Sequence, residues 1–250
     1  GNFQKKQKMI EIKNLTKKFG DVVAVRNLDL KVKKGELFVL LGPNGAGKTT
    51  TIKLITGLLR PTEGEIWVGG YSVEREYIMA KKIIGYIPDT PYLYEKLSAR
   101  EFLNFIQDIY EVEERDKVEE LLELFNLQDE ADRLIEEYSH GMKQKVAIAS
   151  ALIHNPKVLI IDEPLVGLDP RSARLLKDIL RENVRNGMTV FLSTHTLPLA
   201  EEVSHRIGII NESRLIAVGT LEELRKQAKI CGNLEEVFLR LTEEENEKLL

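Results

Sequence analysis

The residues Gly42-Pro43-Asn44-Gly45-Ala46-Gly47-Lys48-Thr49 set three glycines ahead of a lysine and a hydroxyl. Glycines let successive backbone N–H groups curl around phosphate oxygens, and a helix starting at the lysine adds a favourable partial positive charge. Lys48 then neutralises β/γ oxygens, Thr49 offers its hydroxyl to Mg²⁺, and Thr50 extends the phosphate contacts. This spacing matches the phosphate-binding P-loop, and its context agrees: a short apolar run, Leu37 to Leu41, precedes it and a helical pattern follows it.

Two carboxylates, Asp162 and Glu163, end the apolar run that begins at Val158. At the carboxyl end of a buried strand beside a P-loop, the first carboxylate holds Mg²⁺ through water. The second orients and polarises the water that attacks a γ-phosphate. The plainer reading is that both acids solvate the turn before Pro164. His195 ends another apolar run, "VFLSTH", where an imidazole reaches a γ-phosphate or the attacking water. Strand ends that converge on one site favour the chemical reading for all three. His154 and His205 have no such placement and are read as structural.

The stretch Tyr138 to Lys145, "YSHGMKQK", sets a serine beside a histidine just before a helical pattern. Adjacent residues rarely achieve the side-chain geometry of a nucleophile and its base, so a hydrolytic dyad is a poor reading. A helix cap and a phosphate site remain open on these residues alone.

The elements that must position these groups follow from periodicity. From Met9 to Leu41 the pattern alternates as strands, and it indicates an antiparallel β subdomain. "TIKLITGLL" places Ile52, Ile55, Leu58 and Leu59 at helical spacing, with Arg60-Pro61 as its stop. "GEIWVGG" and "KKIIGYIP" are further strands, joined by a partly helical connection. Between Pro91 and about Pro156 the chain turns helical. Ser98 to Glu101 form a capping box opening "AREFLNFIQDIY", and "RDKVEELLELFNL" and "DEADRLIEEY" follow as amphipathic helices. "KVLIIDEP" and "MTVFLSTH", separated by the helix "RSARLLKDILRENVRN", are continuous apolar runs typical of parallel strands buried on both faces. Two short strands and a helical extension from about 220 to 250 close the chain. The fold class is therefore α/β: a P-loop NTPase core with a mostly parallel sheet, the antiparallel β subdomain, and an α-helical insertion.

The chain has 250 residues, 43% hydrophobic and 30% charged, enough apolar material for a substantial core. Lys and Arg number 36 against 40 Asp and Glu, a net charge of −4, so no basic surplus points to nucleic acid. The single cysteine, Cys231, forms neither an internal disulfide nor a cysteine metal cluster, and a cytoplasmic setting is expected. No apolar run approaches the roughly 20 residues that span a bilayer. Residues 1–8 read as a flexible tail or a tag remnant ahead of Met9.

Taken in order, the P-loop, "YSHGM", "VLIIDEP", "GLDP" and "STH" resemble the ATP-binding cassette of ABC transporters, from about Met9 to Gly219. The resemblance implies ATP and Mg²⁺ as ligands and ATP hydrolysis as the reaction. It also implies a head-to-tail dimer in which each ATP lies between one P-loop and the opposite chain's signature. On this basis Ser139 and Gly141 are the signature donors acting in trans, Asp169 lies in the D-loop, His195 is the switch histidine, and Phe19 stacks on adenine. Ser139 is expected to cap a helix beginning near Gly141, with His140 a surface member of the motif.

Two positions depart from the usual pattern. Tyr138 and His140 stand where the signature usually has leucine and its first glycine. Asp89, in "GYIPD", holds the Q-loop position usually filled by glutamine. An aspartate there adds negative charge and cannot donate; it binds the metal through water or serves to relay motion. Both departures resemble the branch that partners ABC-2-type exporters, as does "LEEVFLRLT" near the C-terminus. The implied partners are a second ATP-binding chain and an integral membrane permease. The chain is then peripheral on the inner face of the cell membrane, with Tyr92, Leu93 and Tyr94 as docking candidates. A soluble cassette acting on nucleic acid or ribosomes is the alternative. It fits less well, because such relatives resemble paired cassettes or carry a long coiled coil.

Overall fold

The computed structural model describes residues 8–165 and 167–249. The expected tail, apart from Lys8, lies outside the described residues. Two sheets dominate. The first is antiparallel with strand order β2-β1-β4-β5, formed by β1 (Lys8–Phe19), β2 (Val22–Lys33), β4 (Glu63–Val68) and β5 (Tyr71–Ser72). The second has order β10-β9-β3-β8-β7-β6, with β3 (Leu37–Leu41), β6 (Ile84–Ile87), β7 (Val158–Asp162), β8 (Thr189–Thr194), β9 (Arg206–Asn211) and β10 (Arg214–Gly219). Its pairs are parallel except β9 with β10.

The continuous apolar runs are explained by burial on both faces of the second sheet. Leu37, Val39 and Leu41 of β3 join Leu159, Ile161, Val190 and Leu192 in a core beneath the helical insertion. Phe38 and Leu40 join Val158, Ile160 and Phe191 in a core shared with the antiparallel sheet. The Phe38 and Phe191 rings stack with centroids 5.5 Å apart. Each fully buried side chain of this size contributes about 1.5–3 kcal/mol through removal from water, so the parallel strands are held rigidly in register.

Helix α1 (Lys48–Ile55) follows the glycine-rich loop and ends earlier than its periodicity predicts. Gly57 adopts φ +70°, its N–H donates to the Leu54 carbonyl, and the Leu58 N–H donates to that of Lys53. This is the left-handed termination that glycine permits, and it leaves Leu58 exposed instead of on the core face.

Beyond α2 (Tyr77–Lys82), the segment joining β6 to β7 contains α3 (Ala99–Ile109), α4 (Lys117–Leu124) and α5 (His140–Leu152). The capping box is formed: Ser98 Oγ accepts from the Glu101 N–H at 3.2 Å, and Glu101 Oε2 accepts from the Ser98 N–H at 2.8 Å. "DEADRLIEEY" is not the expected helix. It contains two short 3₁₀ turns, because its backbone pairs with the chain leading into α3 and with the first turn of that helix: Arg100 N–H to Ala131, Ile135 N–H to Leu97 and Glu136 N–H to Glu95. Helices α6 (Pro170–Arg185), α7 (Leu197–Val203), α8 (Leu221–Ala228) and α9 (Leu234–Leu249) complete the chain. Among the described residues no helix is long and apolar enough to cross a membrane.

Ser98 is buried, so removing its hydroxyl leaves the start of α3 without its donor's partner. Ser98→Ala is expected to lower stability by about 1 kcal/mol, a drop of about 2–4 °C in melting temperature for a chain of this size. An unchanged melting curve would show that water replaces the cap without cost.

Candidate functional site

The register of the parallel sheet decides which groups meet. Leu41 pairs with Thr194, and Asp162 pairs with Ser193, so the carboxyl ends of β3, β8 and β7 lie side by side in one edge. The loop leaves β3 at Gly42, whose N–H donates to the Thr194 carbonyl at 3.2 Å. Two of its glycines are sterically required. A Cβ on Gly42 would lie 2.2 Å from the Ile210 carbonyl oxygen, and one on Gly47, where φ is +103°, would lie 2.3 Å from that of Ala24.

Lys48 turns back into this loop. Its ammonium donates to the carbonyls of Gly42 at 2.8 Å and Pro43 at 3.0 Å, and lies 3.7 Å from Glu163 Oε1. The side chain is only 6% exposed. Burial lowers its pKa, against the opposing charges of Glu163 and Asp162. Thr49 and Thr50 occupy the first turn of α1.

Asp162 is fully buried. The Ser193 hydroxyl donates to its Oδ1, while Oδ2 has no hydrogen-bond partner. Burial pushes its pKa up; the hydroxyls of Ser193 and nearby Thr49 hold it down, and the charges of Asp89 and Glu163 raise it further. An orphaned buried carboxylate oxygen beside a threonine hydroxyl is an oxygen donor set suited to a hard dication.

Glu163 leaves the strand with φ +48°, an uncommon backbone for a residue with a side chain. That turn directs the carboxylate to three partners: Lys48, the Thr194 hydroxyl donating to Oε2 at 3.1 Å, and His195 Nδ1 at 2.9 Å from Oε1. With Nδ1 donating, the other ring nitrogen of His195, a half-exposed residue, faces away from Glu163. Residues 42–50, 162–163 and 193–195 are thus one cluster.

The remaining candidates lie around it. Asp89 is exposed and accepts from the N–H of Thr90 at 2.8 Å, yet its charge is felt by Asp162. Among the described residues no group of three or more acids, histidines or cysteines stands in metal-holding geometry. Phe19 ends β1 with 48% of its surface exposed and the Lys17 ammonium 5.0 Å from its ring centre. Ser139 caps α5, accepting from the Met142 N–H at 3.2 Å; the helix starts at His140, one residue before the expected Gly141. Asp169 caps α6 through Arg171 and Ser172, and the Ser172 hydroxyl and N–H hold its pKa down. No hydrogen bond or ion pair joins Ser139 to the phosphate-loop cluster among the described residues.

Sequence reasoning overlooked Ser193, Thr194 and Gln144. Hydroxyls ending an otherwise apolar strand were the available sign of the first two. Gln144 is fully buried in α5 with neither amide atom hydrogen-bonded. His154, read as structural, stacks on Tyr110 at 3.8 Å, and His205 Nδ1 accepts from the Leu37 N–H.

The profile of the family described as ABC transporter matches residues 25–166. The linearmycin resistance ATP-binding protein LnrL of Bacillus subtilis (strain 168) is 40% identical over 219 residues, covering 86% of this chain and 70% of that protein. A solved structure of an ATP-binding subunit of an ABC transporter is 35% identical with a TM-score of 0.89, covering 94% of this chain and 99% of that one. The ATP-binding cassette MJ0796, solved as a dimer in a post-hydrolysis state with ADP and Pi, is 29% identical with a TM-score of 0.78, covering 85% and 99%. The chain belongs to the ABC transporter family. It is an ATP-binding subunit, and its reaction is the hydrolysis of ATP.

Burial of an ionised Asp162 opposes folding at neutral pH, since its folded pKa is raised above the unfolded one. Asp162→Asn is therefore expected to melt higher than the parent near neutral pH, measured with chelator and without nucleotide. The gap should close as pH falls below about 4, where the carboxyl is neutral in both folded and unfolded chains. A variant that melts lower at neutral pH contradicts this account of the site.

Proposed function

We propose that the chain hydrolyses ATP in composite sites made by two copies packed head to tail, and that this cycle drives a separate membrane permease in export. The observation that carries the reading is the Glu163 carboxylate held between Lys48 of the phosphate loop and His195 at one strand edge. In this reading the backbone donors of residues 42–49, with Lys48, Thr49 and Thr50, bind the phosphates, and Phe19 stacks on the adenine. Glu163 accepts a proton from the attacking water as its oxygen bonds to the γ-phosphorus. The bond from that phosphorus to the β,γ-bridging oxygen breaks, giving ADP and phosphate. His195, oriented by Glu163, donates to the γ-phosphoryl group.

Mg²⁺ would be held by the orphaned oxygen of Asp162, through water, and by the hydroxyl of Thr49, with Asp89 as a further candidate. When bound, it supplies charge neutralisation for the phosphate oxygens. Ser139 and Gly141, unconnected to their own phosphate loop, present the N-terminus of α5 to the partner chain's ATP. Asp169 lies at the same junction. The dimeric state of MJ0796 supports this assembly. The resistance function in the name of LnrL supports the outward direction of transport.

The permease docks on the face between the helical insertion and the sheet. Tyr92, at 85% exposed, Phe105 and Ile109 present apolar surface there, and a cavity of about 290 Å³ lined by Leu58, Ile84, Tyr86, Ile106 and Tyr110 lies alongside. Leu93 turns inward to the core, while Tyr94, itself exposed, packs edge-on against Phe105 and shares that surface. This placement holds the chain on the inner face of the membrane.

Glu163→Gln is expected to lower turnover at least about 100-fold while leaving ATP binding intact, and to accumulate an ATP-bound dimer visible by size-exclusion chromatography with light scattering. Rapid turnover by that variant removes Glu163 from its role; a permanent monomer removes the composite site. Separately, a Phe105→Asp, Ile109→Asp chain is expected to keep ATPase activity and to stop copurifying with membrane fractions of the cells that produce it. Retention on those membranes at the parental level moves the docking face elsewhere.

A further inference from the structure

His140 meets the turn after Glu163 in the same chain. Gly167 has φ +79°, and a Cβ built on it would lie 1.9 Å from His140 Cδ2 and 2.3 Å from Nε2. The imidazole therefore occupies the space that any larger residue at 167 would need. The next residue of the helix is a neighbour too: a Cβ on Gly141 would lie 3.5 Å from the Gly167 carbonyl oxygen, an ordinary contact. Farther along α5, Lys145 exerts its charge on Asp169, which caps α6. The Leu168 N–H donates to the Leu165 carbonyl at 3.2 Å, closing the turn on which Gly167 sits.

The approach of His140 to Gly167 joins the first turn of α5 and the turn closed between Leu165 and Leu168 into one block. The block starts two residues after Glu163, and its other end carries Ser139. Gln144 lies one helical turn beyond His140 on the same face, with an amide donor and an acceptor buried and unpaired.

We propose that His140 is a positioning residue. Its ring sets the place of the Gly167 turn, and through it of Glu163, in step with the helix start that carries Ser139. In a head-to-tail dimer, contact of Ser139 with the partner's ATP is then passed along the chain to the carboxylate serving its own ATP. This rests on the composite-site reading given under Proposed function. It adds to that reading a link between the two sites through a histidine and a matched glycine.

The test uses steady-state ATPase kinetics of the full chain with His140→Gly, Gly167→Ala, the double variant and His140→Gln. His140→Gly is expected to lower kcat roughly tenfold, within the usual range of coupling between sites, with KM little changed. Gly167→Ala, which must displace the ring, is expected to lose a similar factor. The double variant should lose no more than the worse single one, as residues acting through one contact do. His140→Gln, with a planar amide able to lie on Gly167, should recover most of the rate. A parental kcat in His140→Gly, or losses that multiply in the double variant, overturns the proposal. Ser139→Ala separates the two layers: if it leaves the ATP-dependent dimer of the Glu163→Gln chain at full strength, the composite-site reading fails. Non-multiplying losses at His140 and Gly167 then still support the positioning contact within one chain.

Discussion

Three strand ends converge on the carboxylate of Glu163, and the site exists only while they stay in register. Lys48 arrives from the loop after β3, Thr194 and His195 from the end of β8, and Glu163 itself from β7 through a left-handed turn. A slip of one residue in β8 would turn Ser193 and Thr194 to opposite faces and remove the hydroxyl partners of both Asp162 and Glu163. Burial of both faces of this sheet is what prevents such a slip. The charge balance follows from the same convergence: one buried cation, Lys48, faces Asp162 and Glu163, with the charge of Asp89 also felt. A surplus of negative charge repels a bare triphosphate and attracts a dication, so the site is suited to a nucleotide that arrives with its metal.

The antiparallel sheet and the outer strands of the second sheet contribute through shape. The carbonyls of Ala24 in β2 and Ile210 in β9 press against the α-carbons of Gly47 and Gly42. They are themselves tied together, since the Arg26 N–H donates to the Ser213 carbonyl and the Ser213 hydroxyl to that of Val23. The phosphate loop is therefore clamped from two sides by backbone that never meets a phosphate. Its N–H groups are set before any ligand binds, which spares the ordering cost on binding.

Groups whose chemistry depends on a local run of residues were legible in the sequence. The loop from Gly42 to Thr49, the Asp162-Glu163 pair and His195 each announce themselves by residue type at the end of an apolar run. The capping box at Ser98 is equally local. What escaped was tertiary. The end of α1 was missed because Gly57 outweighs the periodicity of Leu58 and Leu59. The stretch from Asp129 to Tyr138 has helical spacing, but its backbone is claimed by the chain from Glu95 to Arg100. No periodicity reveals that a partner lies some 40 residues upstream, as the Glu136 to Glu95 and Ile135 to Leu97 hydrogen bonds place it. His140 was legible as a departure from a pattern but not as a contact, because Gly167 reaches it only through the fold.

The two unusual residues of "YSHGM" are accounted for by opposite demands. Tyr138 is buried in the core, and its hydroxyl donates to the Glu130 carbonyl at 2.5 Å, satisfying the one polar atom that a leucine would not have brought. It anchors the chain entering α5 to the segment that also pairs with residues 95–100. His140 lies outside, on Gly167. Between them Ser139 has both neighbours fixed, one to the helical insertion and one to the turn after Glu163. A serine on a free loop would lose entropy on meeting a ligand; a serine held on both sides would lose little. Under the positioning role proposed for His140, a displacement of Ser139 would move Tyr138 and Gly167 together, and so would reach the helical insertion and the Glu163 edge of the sheet by two short paths.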